Sequence, residues 1–358
     1  MKKAIILING LGLGNSTRCK VLIDWLFSKN YEVTILTSGN GEEFFNKKKY
    51  NIIKLDRIDY GKISERLSIL KLFVNLVKIF RIVKKNSIKI NNLVKKIDAD
   101  LIISDSVYFF PNKDFKKRYS IALNNSNLVI KYFFKLKYKP LSIFPQFFFI
   151  EVFDYIISKS VYKKIWSPVI SMTDFKNFND LNNKIITLPP ISRFKNKNIH
   201  KDYSKNIKKI CIMLSGSSFK TKIELSENNL KNFHFNLINY NYKLGSKKYD
   251  NHKYYYKEFD NYKLLKECDI AIINSGYSAI SDCINLELPM ILIPVKNHAE
   301  QYINSKIIEQ EKFGIMSSDD LNKDIIKISK NYNIFKNNLI ENNKKITGIN
   351  YFVNELLK

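Results

Sequence analysis

Residues Cys268–Ile315 read CDIAIINSGYSAISDCINLELPMILIPVKNHAEQYINSKIIEQEKFGI. A short apolar, β-branched run ends at Asn274-Ser275-Gly276, and a helical pattern carrying Asp282 begins near Ser278. Leu288-Pro289 then opens a second buried strand that ends at Pro294, and NHAEQYIN starts the next helix. The Ser275–Ser278 turn, with Gly276 and Tyr277 inside it, is therefore a helix N-terminus after a strand. Such an end offers backbone N–H groups and a positive dipole, which suit a diphosphate. Asp282 lies a little over one turn further on, where an acceptor-only carboxylate can take both hydroxyls of a ribose. His298, Glu300, Gln301 and Asn304 supply donors and acceptors at the mouth of the following strand, where sugar hydroxyls would be read.

The same alternation extends in both directions. ICIMLSGSS (Ile210–Ser218) and FHFNLI (Phe233–Ile238) are strands upstream, with helical intervals between them. In the first half KAIILIN, YEVTILT (Tyr31–Thr37), NIIKLD (Asn51–Asp56), ADLIISD (Ala99–Asp105) and RYSIAL (Arg118–Leu123) alternate with helical segments, the longest from about Ile63 to Lys96. Repeated strand–helix–strand units imply parallel sheets covered by helices on both faces. SPVISM (Ser167–Met172) and KIITLPP (Lys184–Pro190) close that half, and the polar, basic stretch Ile191–Lys209 reads as a linker. The expected organisation is a first α/β domain over 1–190, a linker over 191–209 and a second α/β domain over 210–340. A C-terminal helix over 341–358 is expected to pack back on the first domain.

The chain opens with GLGLGNSTRC (Gly10–Cys19) between a strand and a helix expected to start near Ser16, capped by Asn15 or Ser16. A dinucleotide fingerprint requires Gly-x-Gly-x-x-Gly and an acidic residue ending the second strand. Here the spacing is Gly10-x-Gly12-x-Gly14 and the second strand ends in Thr37-Ser38-Gly39, so both requirements fail. Gly12, Gly14, Asn15 and Arg18 instead suggest a turn that lets an acceptor approach the backbone.

The Cys268–Ile315 stretch resembles the donor site of GT-B glycosyltransferases. It looks most like the enzymes related to the N-acetylglucosaminyltransferase that completes the lipid-linked peptidoglycan precursor. Gly276, Ser281, Asp282, Pro289, Pro294, Gln301 and Asn304 fall in that family's order and near its spacing. Asp282 stands where the family has Glu, and Glu287-Leu288 stands where it has Gly before the first Pro. MLSGSS matches the family's first donor-domain turn, so the resemblance implies that Ser215, Gly216 and Ser217 touch the diphosphate and that Phe259 holds the base. GLGLGNSTR, LIISD and LPPISR (Leu188–Arg193) are similar to a less characterised branch of the same architecture.

The resemblance implies two tandem Rossmann-like domains with parallel sheets facing a central cleft, the donor on the second and the acceptor on the first. It implies a UDP-sugar substrate and a sugar transferred to an acceptor hydroxyl with inversion; no carboxylate pair has evident metal spacing, so no obligatory metal and no cofactor are expected. Asn15 stands where that branch has His, and an amide cannot remove a proton. The base is then expected at Asp105, at the end of a first-domain strand, or at His298, with Asn15 orienting a hydroxyl. The alternatives are a nucleotide-sugar hydrolase of the same fold and a degenerate nucleotide-sugar-binding protein. His200, His234 and His252 read as structural or solvated.

The chain has 358 residues, 60 Lys and Arg against 33 Asp and Glu, and a formal net charge of +27. Such an excess suggests an anionic contact. No nucleic-acid motif accompanies it, and the aromatic–basic stretches read as helices, so nucleic acid is not expected as a partner. Leu70–Lys96 contains no acidic residue and sets Leu72, Phe73, Leu76, Val77, Phe80 and Val83 at helical spacing among basic residues. Ile130–Phe149 is a second basic–aromatic stretch. Both fit a cytoplasmic enzyme held peripherally on the inner face of the membrane, with a lipid-linked acceptor in cell-envelope or surface polysaccharide biosynthesis. No stretch reads as a transmembrane helix. MKKAIILING reads as the first strand rather than as a signal peptide. The four scattered cysteines suggest neither a disulfide framework nor a metal cluster.

Overall fold

The computed structural model describes residues 1–45, 49–58, 69–175, 184–194, 207–214, 223–239, 244, 250–256, 258 and 260–346, with side chains omitted for 69–76. Two parallel sheets organise them. The first contains β1 (Lys3–Ile8), β2 (Glu32–Thr37), β3 (Asn51–Lys54), β4 (Leu101–Asp105), β5 (Tyr119–Leu123), β6 (Lys164–Pro168) and β7 (Ile185–Leu188), in the order β3-β2-β1-β4-β5-β6-β7. The second contains β8 (Lys209–Met213), β9 (His234–Ile238), β10 (His252–Tyr255), β11 (Ile270–Ile273), β12 (Met290–Leu292) and β13 (Gly314–Met316), in the order β10-β9-β8-β11-β12-β13. Helices cover both faces of a parallel sheet, so its central strands are uniformly apolar rather than alternating. β1 (Ala4 to Ile8) and β11 (Ile270 to Ile273) are completely buried.

In each sheet the strand order reverses once beside the first strand. The reversal lies between β1 and β4 in one sheet and between β8 and β11 in the other. Open α/β sheets bind ligands at the carboxyl ends of the strands at such a point. The two turns singled out by the sequence, Gly10–Cys19 and Asn274–Ser278, follow β1 and β11 and so occupy the two reversal points.

The compact units do not follow the expected boundary at 190. One comprises Met1–Asn124, Asp154–Ser167 and Asp180–Ile186; the other comprises Asn125–Phe153, Pro168–Asn179 and Thr187–Lys358. The physical reason is packing. Leu128, Val129, Phe133 and Phe147 join one apolar cluster with Ile280, Ile303 and Ile307 of the second unit. Ser192 and Arg193, expected in a linker, are bonded into that unit as well. The described C-terminal helix runs Tyr332–Lys344, and residues 347–358 lie outside the described part.

Three local expectations change. The first helix starts at Leu13 with Gly12 as its cap residue, so Asn15 and Ser16 lie inside its first turn. In the helix Ile69–Ile97 the described stripe Val83, Ile90 and Val94 is buried, so this face is core; Phe80 is exposed, and Leu72, Phe73 and Leu76 lie outside the described side chains. The continuous helical stretch Leu141–Val161, 21 residues with mean hydropathy 1.4, is long and apolar enough to cross a membrane. Within it, however, Glu151 accepts from Gln146 and Ser126, and Asp154 accepts from Asn124, as in a helix packed against protein.

Candidate functional site

At the first reversal point the turn is closed at its base, where Gly10 meets the next loop. A Cβ on Gly10 would lie 1.5 Å from the Ser38 carbonyl oxygen, so glycine is required there by the backbone of the next loop. Asn9 Nδ2 donates to the Ser106 carbonyl at 3.0 Å, Asn9 Oδ1 accepts from Leu11 N, and Asn40 Nδ2 donates to the Leu11 carbonyl. Asp105 ends β4 with no exposed surface. Arg18 grips it through both carboxylate oxygens, Nε to Oδ2 at 2.8 Å and Nη2 to Oδ1 at 2.6 Å, and the Cys19 thiol donates to Oδ2 at 3.4 Å. Burial and the adjacent carboxylate push the Cys19 thiol well above its usual range.

The expectation that Asp105 acts as a base therefore does not fit this geometry. A carboxylate engaged by a bidentate arginine and sealed from solvent has no lone pair directed at a substrate. Arg18, expected to face an acceptor, is equally buried and spends its fork on Asp105. Gly12, Gly14 and Asn15 remain half-exposed at the start of the helix.

The second reversal point is built differently. Gly276 caps the helix Tyr277–Asn285, and a Cβ added to it meets nothing within 4 Å. The turn is tied to the neighbouring loop by side chains. Asn274 Nδ2 donates to the Ile293 carbonyl at 2.9 Å and Asn304 Nδ2 to the Ser275 carbonyl at 3.0 Å, while the Ser275 and Ser305 hydroxyls meet at 2.6 Å. Gln301 Oε1 accepts from Val295 N at 2.9 Å. Gln301 and Asn304, expected to read sugar hydroxyls, thus hold backbone; Asn304 is buried. The Tyr277 hydroxyl is also buried, donating to the Val169 carbonyl and accepting from Ile191 N. Ser278 is half-exposed beside it.

Asp282 is 4% exposed. Its Oδ1 accepts from the Ser192 hydroxyl at 2.8 Å and its Oδ2 from Arg193 Nε at 3.4 Å. Burial raises its pKa, while Arg193 and Ser192 work in the opposite direction. Nearly sealed from solvent, Asp282 braces Arg193 and Ser192 in this structure. Arg193 Nη2 also donates to Asn261 Oδ1, and its guanidinium lies 5.0 Å from the Phe194 ring centroid. Asn261 in turn donates to the Met213 sulfur at 3.0 Å, which places this cation by the carboxyl end of β8, beside β11. Ser192, Arg193, Asn261 and Ser305 were not singled out as site residues. LPPISR carried the signal for two of them, but the sequence does not show which carboxylate they meet.

His298 caps the helix Ala299–Gln310. Its Nδ1 is buried with no hydrogen-bond partner among the described residues. Burial lowers its pKa below the usual histidine range, opposed by the Glu300 carboxylate, so the ring is neutral near pH 7. Glu300 Oε1 accepts from Asn125 Nδ2 at 3.4 Å, and Ala299 N donates to Gln146 Oε1 at 2.8 Å. Ser215, Gly216, Ser217 and Phe259 lie outside the described residues. Among the described residues no three His, Cys, Asp or Glu side chains come together as a metal-holding group.

Comparisons with known proteins agree with this architecture. Glycosyl transferase family 1 matches residues 3–330. An uncharacterized glycosyltransferase of Methanosarcina acetivorans is 23% identical, with 88% of this chain and 86% of the relative covered. Among solved structures the fold is similar to the glycosyltransferase SnogD from Streptomyces nogalater (TM-score 0.62, 11% identity, 96% and 94% of the two chains). It is also similar to UGT89C1 of Arabidopsis thaliana, a structure complexed with quercetin (TM-score 0.62, 10% identity, 95% and 92%). The two parallel-sheet domains are the GT-B fold, and the chain belongs to glycosyl transferase family 1.

Proposed function

We propose that the protein transfers a sugar from a nucleotide sugar, UDP being the expected nucleotide, to a hydroxyl of a lipid-linked acceptor in cell-envelope or surface polysaccharide biosynthesis. The reaction belongs in the cytoplasm, at the inner face of the membrane, by analogy with the lipid-linked peptidoglycan-precursor N-acetylglucosaminyltransferases that the donor motif resembles. One observation carries the donor half: the Gly276 turn is open at a reversal point, at the start of the helix whose Asp282 holds the Arg193 cation.

The diphosphate would lie against the N-terminus of the helix Tyr277–Asn285, where the helix dipole and Arg193 stabilise the charge that grows as the anomeric C–O bond breaks. Asp282 and Asn261 fix the guanidinium, so little reorganisation accompanies the reaction. Asp105 is committed to Arg18 and Asn15 cannot take a proton, which leaves His298 as the base. In the tautomer with hydrogen on the buried Nδ1, its Nε2 accepts the acceptor hydroxyl proton while that oxygen bonds to the anomeric carbon and the nucleoside diphosphate leaves. Glu300 then stabilises the imidazolium.

UDP and UDP-sugars are expected to raise the melting temperature, and UDP release is expected only when lipid extract is added. Loss of UDP stabilisation would remove the donor assignment; sugar release to water without extract would favour the hydrolase. His298→Ala is expected to lower kcat by about 10²–10⁴-fold with UDP affinity kept. Unchanged kcat would remove the base assignment.

A further inference from the structure

Between β5 and β6 the chain builds a helical layer, Ser126–Lys135 followed by a helical stretch from Leu141 that contains a π-helical turn at Phe147–Val152. Its centre is an aromatic stack. Phe133 and Phe147 lie parallel at 3.6 Å between centroids, and Phe148 and Phe134 meet Phe147 edge-on at 5.1 and 6.2 Å. The inner pair is buried, but Phe134 is 69% exposed, Phe149 78% and Leu141 83%, with Phe148 exposed beside them. A soluble protein seldom leaves several large apolar side chains uncovered together without a partner for them.

The exposed charges within residues 126–153 have one sign. Lys131, Lys135 and Lys137 are exposed, and Lys139 Nζ sits 5.8 Å from the Phe133 ring centroid. The single acid of residues 126–153 is Glu151, which is buried and bonded to Gln146 and Ser126. We propose that this layer is a docking surface for an anionic lipid bilayer. Phe134, Leu141, Phe148 and Phe149 enter the acyl boundary, and the lysine ammonium groups reach the phosphates of the headgroups. A second copy of the chain is a poorer occupant. A two-fold contact would set these lysines against their own counterparts, and the stretch has no exposed carboxylate to receive them. Of the two stretches expected from the sequence to meet a membrane, Leu70–Lys96 and Ile130–Phe149, the second lies in this layer.

The lipid-linked acceptor of the transferase reading would be met at this surface, and the proposal rests on that reading only for this role. The test is sedimentation of the full chain with vesicles of phosphatidylcholine alone and of phosphatidylcholine with phosphatidylglycerol. The expected result is sedimentation with the second kind, weakened at least about tenfold in Leu141→Asp/Phe149→Asp by the lost apolar insertion. Lys135→Glu/Lys137→Glu is expected to lose affinity by at least about fivefold per position. Both pairs are exposed, and melting temperature and UDP stabilisation measured on the variants check that the fold and donor site are intact. A wild type that stays in the supernatant with both vesicles, or a Leu141→Asp/Phe149→Asp variant that sediments like wild type, overturns the proposal. So does a dimer seen by light scattering that this variant dissolves. If UDP fails to stabilise the protein while vesicle binding survives, the donor reading falls and the docking surface stands.

Discussion

The turns after β1 and β11 stand at equivalent places in two similar sheets, and each has an arginine–aspartate pair beside it. They differ in what the glycine is for. Gly10 lies where a side chain would strike the Ser38 carbonyl, whereas Gly276 faces open space. The pairs differ in the same sense. Arg18–Asp105 is closed on both sides, while Arg193 leans on Asp282, Asn261 and the Phe194 ring at the end of β8. In the turn with three glycines Gly10 is required by packing, and the turn with one glycine is the more open of the two. Glycine count indicates close approach of the backbone to something, but not whether that something is ligand or protein.

This contrast can be broken by substitution. The largest effect is expected for Arg18→Met, which strands a buried carboxylate and costs about 3–5 kcal/mol in urea unfolding. Arg193→Met is expected to cost less stability, because Ser192 still donates to Asp282, and to lower UDP affinity about tenfold through loss of a charge-assisted contact. Equal destabilisation by both, with UDP affinity unchanged, would erase the distinction. Gly10→Ala is expected to cost about 1–3 kcal/mol by overpacking. Gly276→Ala has no clash and should stay within about 1 kcal/mol, the cost of a poorer cap residue. The smallest effect concerns pH. If neutral His298 is the base, kcat falls as pH drops through its depressed pKa. The Glu300 carboxylate favours the imidazolium, so Glu300→Gln should move the acid limb to lower pH by less than about one unit. A shift to higher pH would contradict the assignment.

Much of the fold was legible because parallel strands buried on both faces leave unbroken apolar runs such as Ala4–Ile8 and Ile270–Ile273. The turn at Ser275–Ser278 was legible for the same reason, as the break between such a run and a helix. Which polar side chains are spent on protein was not legible. Asp282, Gln301 and Asn304 have the chemistry to bind a sugar nucleotide, yet each meets protein: Asp282 meets the distant Ser192 and Arg193, Asn304 the distant Ser275 carbonyl, and Gln301 the Val295 amide of the preceding loop. The same holds for Glu287, at the place where the resemblance led one to expect glycine. It adopts φ +53 in the left-handed region, and Lys336, buried, donates to its carbonyl at 2.6 Å. A tertiary contact supports a conformation that the residue type disfavours, and no local pattern announces it.

The seam joining Asn274 and Ser275 to Ile293, Asn304 and Ser305 fixes the loop after β11 to the start of the loop after β12 and to the helix Ala299–Gln310. Neither loop can be re-shaped alone. Efforts to re-shape this turn must therefore recombine it with its bonded neighbours as a single cassette, because residues sharing one hydrogen-bonded network do not contribute additively.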